Sequence, residues 1–230
     1  TVHAVFVRSL MASATLGQID TSEAAAAPGV LGVFTAADLQ LKRRTPRFPI
    51  DESAHQPVLA EGAVRYVGEP IAVVIAETVS QAVDAAEFVF VDYEPLAAVV
   101  TVNDALAAER LVHPAIEGNI AGALPIAPAE IDFGECDVAV EQVVINNRIA
   151  GAPIEGRSAL ADWTGDRLLC WSSTQGAGVV LNNIVDVYGV DEADVHVRAL
   201  DIGGGFGAKG SPDGEELALP ALSRAVGRPV

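Results

Sequence analysis

The sequence predicts an α+β fold in which strands and short helices share the chain. Three observations predict it. Runs rich in Val, Ile and Phe, bounded by turn residues, recur through both halves, as strands do. Between them lie segments with a capping box or a helical apolar period. The chain has 230 residues, half of them hydrophobic, enough to bury a substantial core as one large domain or two small ones.

The elements follow in order. Strands are expected over 2–8, 13–19, 30–34, 71–77, 88–93 and 96–101. Thr21 to Ala27 reads as a helix, as does Thr78 to Glu87. The latter opens Thr78-Val79-Ser80-Gln81, in which Thr and Gln satisfy two orphan amides, and carries Ala82, Ala85, Ala86 and Val89 as an apolar stripe. Residues 41–57, with Lys42, Arg43, Arg44, Arg47 and three prolines, read as a loop with a solvated basic face. Residues 107–130 turn to Ala, Pro and Gly without a period, as a linker would, so the chain divides into 1–106, 107–130 and 131–230. Strands resume over 136–147, 158–164 and 167–172. A helix is expected over 176–187, with Val180, Ile184, Val187 and Tyr188 on one buried stripe and Tyr188-Gly189 at its end. The strand 195–200 precedes a helix over 213–226 that Pro220 should kink or delay. No internal repeat is visible. The chain starts directly on a strand and stops where another would begin, as a piece of a longer protein would.

Composition narrows the function. A net charge of −17 argues against nucleic acid, whose binding needs cationic side chains, and against anionic membrane surfaces. No apolar run is long enough to span a bilayer and no signal peptide opens the chain, so a cytoplasmic setting is expected. Cys136 and Cys170 are too few and too isolated for a disulfide framework or a zinc site. Both lie in strand-like sequence and read as buried, inert thiols. His3, His55, His113 and His196 show no metal-ligand spacing.

The densest signal is Gly203-Gly204-Gly205-Phe206-Gly207-Ala208-Lys209-Gly210, directly after a strand. Four glycines in five positions leave a backbone that can approach a ligand closely, and successive amides can form a nest for oxo or anionic groups. A dinucleotide fingerprint requires a helix at once, but Gly210-Ser211-Pro212 intervenes, and a phosphate-binding loop requires Gly-Lys-Ser/Thr. Trp171-Ser172-Ser173-Thr174-Gln175-Gly176 closes a strand and opens a helix, where Gln175 could donate through its amide or simply cap. Ala152-Pro153-Ile154-Glu155-Gly156-Arg157 runs into a strand, with Glu155 and Arg157 placed to form a surface ion pair.

Together these segments resemble the large, molybdenum-binding subunit of the xanthine dehydrogenase, aldehyde oxidase and carbon monoxide dehydrogenase family. Phe6-Val7-Arg8-Ser9, Pro28-Gly29-Val30, Gln56-Pro57-Val58-Leu59-Ala60, Val64-Arg65-Tyr66-Val67-Gly68-Glu69-Pro70 and Val91-Asp92-Tyr93-Glu94-Pro95-Leu96 are similar to its a/b hammerhead domain. The three later segments are similar to the first part of its molybdopterin-binding domain. The resemblance implies an oxidoreductase that hydroxylates aldehydes or N-heterocycles with water, or oxidises carbon monoxide. It implies a molybdenum-molybdopterin cofactor, in bacterial members often the cytosine dinucleotide form. It implies 2Fe-2S and FAD on partner subunits or domains: an iron-sulfur subunit, an FAD subunit and the remainder of the large subunit. Gln175, Gly204, Gly205, Phe206 and Gly207 are the cofactor-binding residues it implies. The family's catalytic glutamate lies downstream of the segment matched here, so no catalytic residue or metal ligand is assigned and the chain alone is expected to be inactive. Gly210 stands where purine-oxidising members carry glutamate, which disfavours xanthine as substrate. Ser9-Leu10-Met11-Ala12 and Pro153-Ile154-Glu155-Gly156-Arg157 also depart from common family forms. Two other readings remain open: a non-catalytic hammerhead-containing interaction module and a small nucleotide-binding protein.

Overall fold

Pro70–Ala76, an all-apolar run, lies at the centre of the first half, and every one of its side chains is buried. The computed structural model describes residues 1–124, 133–134 and 136–230. In chain order, the first half comprises β1 (His3–Arg8), β2 (Ala14–Asp20), α1 (Ser22–Ala26), β3 (Val30–Thr35), α2 (Ala36–Leu39) and β4 (Ala63–Val64). It continues through β5 (Pro70–Ala76), α3 (Val79–Ala86), β6 (Phe90–Pro95) and α4 (Val102–Ala107). The second half holds β7 (Ala159–Asp162), β8 (Leu168–Ser172), α5 (Ala177–Tyr188), β9 (Val195–Arg198) and α6 (Gly214–Val226).

Three sheets result, with strand orders β1-β5-β3, β4-β2-β6 and β7-β8-β9. The first two are antiparallel. In the third, β7 runs antiparallel to β8, and β8 runs parallel to β9. The parallel pair requires a crossover, which α5 supplies. This β8–α5–β9 unit places Gln175 and the glycine segment at the same, C-terminal end of two neighbouring strands, where open α/β units gather ligands.

Strand alternation decides where β5 contributes. Val74 and Ala76 pack with Ala82 and Ala85 of α3. Val73 and Ile75, on the other face, join Val180, Ile184, Leu217 and Leu222 of the second half. The two halves therefore share one core. The Thr78–Gln81 capping box forms as expected, with the Thr78 amide on Gln81 Oε1 at 3.1 Å and the Gln81 amide on Thr78 Oγ1 at 3.3 Å. Gly189 ends α5 in the left-handed region.

Several expectations are corrected. Residues 96–101 form no strand; Thr101 instead caps α4, its hydroxyl accepting from the Asp104 amide at 3.1 Å. Residues 136–147 form no strand either. Their apolar alternation suits a ladder, but an isolated extended segment gains nothing from it. Cys136 is accordingly exposed, whereas Cys170 is buried in β8 and burial pushes its thiol up to about 12. Of the expected linker, 125–130 falls outside the described residues. Pro220 does not delay the start of α6, which begins at Gly214 and runs on past it. The Tyr188 hydroxyl enters the helix there, donating to the Leu217 carbonyl at 2.5 Å and accepting from the Ala221 amide at 3.0 Å. It thus occupies the place of the backbone bond that a proline-disturbed helix loses. The basic loop 41–57 is used internally: Arg43 binds Glu61, and Arg44 binds Gln56 and the Pro212 carbonyl. Among the described residues, no helix is long and apolar enough to cross a membrane.

Candidate functional site

The glycine segment leaves β9 and is held from three sides before it enters α6. Gln175 grips it first. Its Oε1 accepts from the Gly207 amide at 2.9 Å and the Lys209 amide at 3.3 Å, and its backbone N–H donates to the Lys209 carbonyl at 2.9 Å. Two N–H donors on one carboxamide atom identify that atom as oxygen. The Nε2 hydrogens, facing away, meet no acceptor among the described residues. Gln175 therefore does not cap α5; Gly176 occupies the N-cap without a side-chain bond, and Thr174 Oγ1 accepts from the Gly176 amide at 3.2 Å.

Glu155 grips the segment second. One carboxylate oxygen accepts from the Gly203 amide; the other takes the Lys209 ammonium at 3.0 Å. The Lys209 side chain is 0% exposed, that of Glu155 36%. The ammonium, and after it the Gly203 amide, hold the Glu155 carboxyl below its ordinary value. Arg157 grips third, donating to the Ala208 carbonyl and to the Ser211 carbonyl at 2.9 Å while pairing with Asp213 and Glu216 at 3.0 Å each. The expected Glu155–Arg157 pair is thus replaced by two separate attachments to the glycine segment. Burial raises Glu216's carboxyl, with Arg157 opposing.

Between these grips the amides of Gly204, Gly205 and Phe206 donate to nothing among the described residues. The backbone is left-handed at Gly204, Phe206 and Gly207, with φ of 88°, 50° and 86°. For an aromatic residue this is an outlier, and Phe206 is 77% exposed. Gly205 is required by space: a Cβ there would lie 2.5 Å from Gln175 Oε1. The five residues singled out from the sequence therefore converge. What sequence reasoning missed is the anchoring by Glu155, Arg157 and Lys209. The available signal was a lone lysine in an otherwise neutral glycine run.

The arrangement can present neutral N–H donors to an oxygen-rich group without offering a nucleophile. A group bearing oxo ligands fits it: three consecutive amides and one carboxamide nitrogen, unpartnered among the described residues, lie beside a Gly205 backbone with no room for a Cβ. A hollow of about 210 Å³, lined by Glu155, Trp171, Ser173, Leu200 and Ile202, adjoins the segment. A larger cleft of about 710 Å³ lies elsewhere, between β1, β7 and the start of α6. Its arginines are spent on acids, Arg8 on Glu215 and Arg157 on Asp213 and Glu216.

Residues 1–97 match the family model described as the a/b hammerhead domain of aldehyde oxidase and xanthine dehydrogenase, and residues 112–230 match the molybdopterin cofactor-binding domain. The chain belongs to the molybdenum hydroxylase large-subunit family. Within that family it is similar to the nicotine 6-hydroxylase large subunit of Paenarthrobacter nicotinovorans, 34% identical over all of this chain and 29% of that protein. It is 32% identical to the carbon monoxide dehydrogenase large chain of Afipia carboxidovorans, over 98% of this chain and 30% of that one. Among solved structures, quinoline 2-oxidoreductase from Pseudomonas putida 86 superimposes over the whole chain with a TM-score of 0.88 at 34% identity, covering 30% of its length. The chain thus spans under a third of the molybdenum hydroxylase subunits it matches. Relatives in the family are named as subunits of complexes, among them one of a dehydrogenase complex.

Proposed function

We propose that this chain is the hammerhead (1–106), linker (107–130) and first part of the molybdopterin-binding domain (131–230) of a molybdenum hydroxylase large subunit. The whole enzyme hydroxylates aldehydes or N-heterocycles with water, or oxidises carbon monoxide. The carrying observation is the convergence of Gln175 on the Gly207 and Lys209 amides, beside the unpartnered amides of Gly204, Gly205 and Phe206. In this reading Gln175, Gly204, Gly205, Phe206 and Gly207 hold the molybdenum-molybdopterin group. When bound, that group supplies two-electron oxidation of a carbon centre with oxygen from water. The chain's own residues do the positioning: Gln175 Nε2 and the three amides orient oxygen ligands, and the close approach of Gln175 keeps Gly205 buried. None of them takes or gives a proton, so proton transfer falls to residues of the rest of the subunit.

Similarity to the family's bacterial members supports the cytosine dinucleotide form of the pterin, and partner subunits carrying 2Fe-2S and FAD, in the cytoplasm. Gly210 favours non-purine substrates. The test is the full-length subunit, assembled with its iron–sulfur and flavin partners and assayed for bound molybdenum and for dye reduction with aldehydes, N-heterocycles and carbon monoxide. Stoichiometric molybdenum in the wild type, lost in Gln175→Ala and Gly205→Val, is expected. A wild type without molybdenum, or variants that keep it, would overturn the reading. The 230-residue chain alone is expected to turn over none of these substrates; clear activity refutes that part.

A further inference from the structure

Lys209 makes a contact at this site that cofactor binding does not explain. Its ammonium is fully buried, and its ion partner is a single, partly exposed carboxylate, Glu155, at 3.0 Å. A buried ion pair is weak evidence for stability, because desolvation can cancel the attraction and an apolar pair of similar volume often does as well. Its geometry offers a different reason for its presence. Glu155 ties Gly203, at the start of the glycine segment, to Lys209, at its end. Lys209 is also where Gln175 and Thr174 fasten the backbone: its amide lies on Gln175 Oε1 at 3.3 Å, and its carbonyl accepts from the Gln175 amide at 2.9 Å and the Thr174 hydroxyl at 3.2 Å. Every fastening of residues 203–209 by Glu155, Thr174 or Gln175, other than the Gly207 amide on Gln175, thus passes through Lys209 or through the carboxylate it holds.

The segment between needs that closure. Among the described residues, Gly204, Gly205 and Phe206 make no hydrogen bond through their amides, and Phe206 sits at φ 50°. A bulky side chain persists there only where its surroundings over-determine the backbone. Phe206 cannot lock itself by packing, because its ring is exposed. We propose that Lys209 and Glu155 are positioning residues: their buried pair closes the ends of the 203–209 segment and thereby aims the three free amides at the oxygen ligands of the bound group. The aiming rests on the proposed function; the closing does not.

The full-length subunit separates this role from plain stabilisation. The variant Lys209→Met with Glu155→Met removes both charges while keeping volume, so its melting temperature should stay near wild type. Single Glu155→Gln strands the ammonium and should melt lower. The deciding readout is hydrogen exchange at the Gly207 amide in cofactor-free protein, since that N–H donates to Gln175 and to neither altered side chain. It should speed up at least about tenfold in the double variant, with molybdenum content falling below half of wild type. A double variant with wild-type exchange at Gly207 overturns the proposal. Should the double variant not fold, Glu155→Asp keeps the charge but withdraws the carboxylate by one methylene. Faster exchange at both Gly203 and Gly207 supports the closure, and unchanged exchange overturns it. A wild-type subunit lacking molybdenum would instead sink the functional reading and leave the exchange result standing.

Discussion

At the scale of single residues, the site is built from backbone held at unusual angles. At Gly207, a Cβ would meet nothing within 4 Å, yet φ is +86°. Gly207→Ala should therefore cost about 1–2 kcal/mol through backbone conformation alone, read as a lower denaturation midpoint. Phe206→Gly should behave oppositely. It relieves the left-handed strain and gives up a ring that is already mostly in solvent, so stability should change by less than about 1 kcal/mol while molybdenum retention falls. A large stability loss would mean the ring packs in a way its exposure does not convey. Acid should open the site at Glu155. Its folded value lies below the ordinary carboxylate value, so its stabilisation is present above that value and is lost as the pH falls through the folded one. Exchange protection at Gly203 should hold from neutral pH down through the ordinary carboxylate range and fail only below it. The five residues of the candidate site were legible because glycines and a strand-end glutamine are local signals. Lys209 and Glu155 were not, because 54 residues of chain separate them. Proximity in sequence instead paired Glu155 with Arg157, which the structure sends to Asp213 and Glu216.

At the scale of elements, most strands and helices were legible wherever period and cap agreed, as in α3 and α5. Two strands failed. Residues 96–101 and 136–147 have the right side chains, but a strand exists only when a neighbour supplies its hydrogen bonds, and no local pattern encodes the neighbour. The group that accommodates Pro220 inside α6 was not legible for a similar reason, since it comes from another helix. This makes a sharp test. Tyr188→Phe leaves the Leu217 carbonyl and the Ala221 amide without their partner, at a cost of about 2 kcal/mol. In a Pro220→Ala background the helix can restore its own bond, so the same substitution should cost less than half as much. Additive costs in that double-mutant cycle would show that the hydroxyl does not serve the proline.

At the scale of the whole molecule, polarity is unevenly spread. The net charge of −17 keeps most of the surface hydrated, yet Val138, Val140, Val143, Val144, Ile145 and Ile149 are each 75–86% exposed along one extended stretch. Contiguous exposed apolar surface of this kind drives association. The 230-residue chain should self-associate with rising concentration in sedimentation experiments, and Val143→Lys with Ile145→Lys should suppress it. A monodisperse wild-type chain would remove that expectation. The apolar alternation that made this stretch read as a strand is the same property that leaves it unsatisfied in isolation.

The two faces of β5 carry one more consequence. Val73 and Ile75 lie in the same core as Leu217 and Ile184, so the gap between the two family matches is not a line along which the molecule comes apart. Excising either portion would strip the other of its floor. Limited proteolysis between residues 97 and 112 should leave both fragments clinging together, and heating should melt them in a single step.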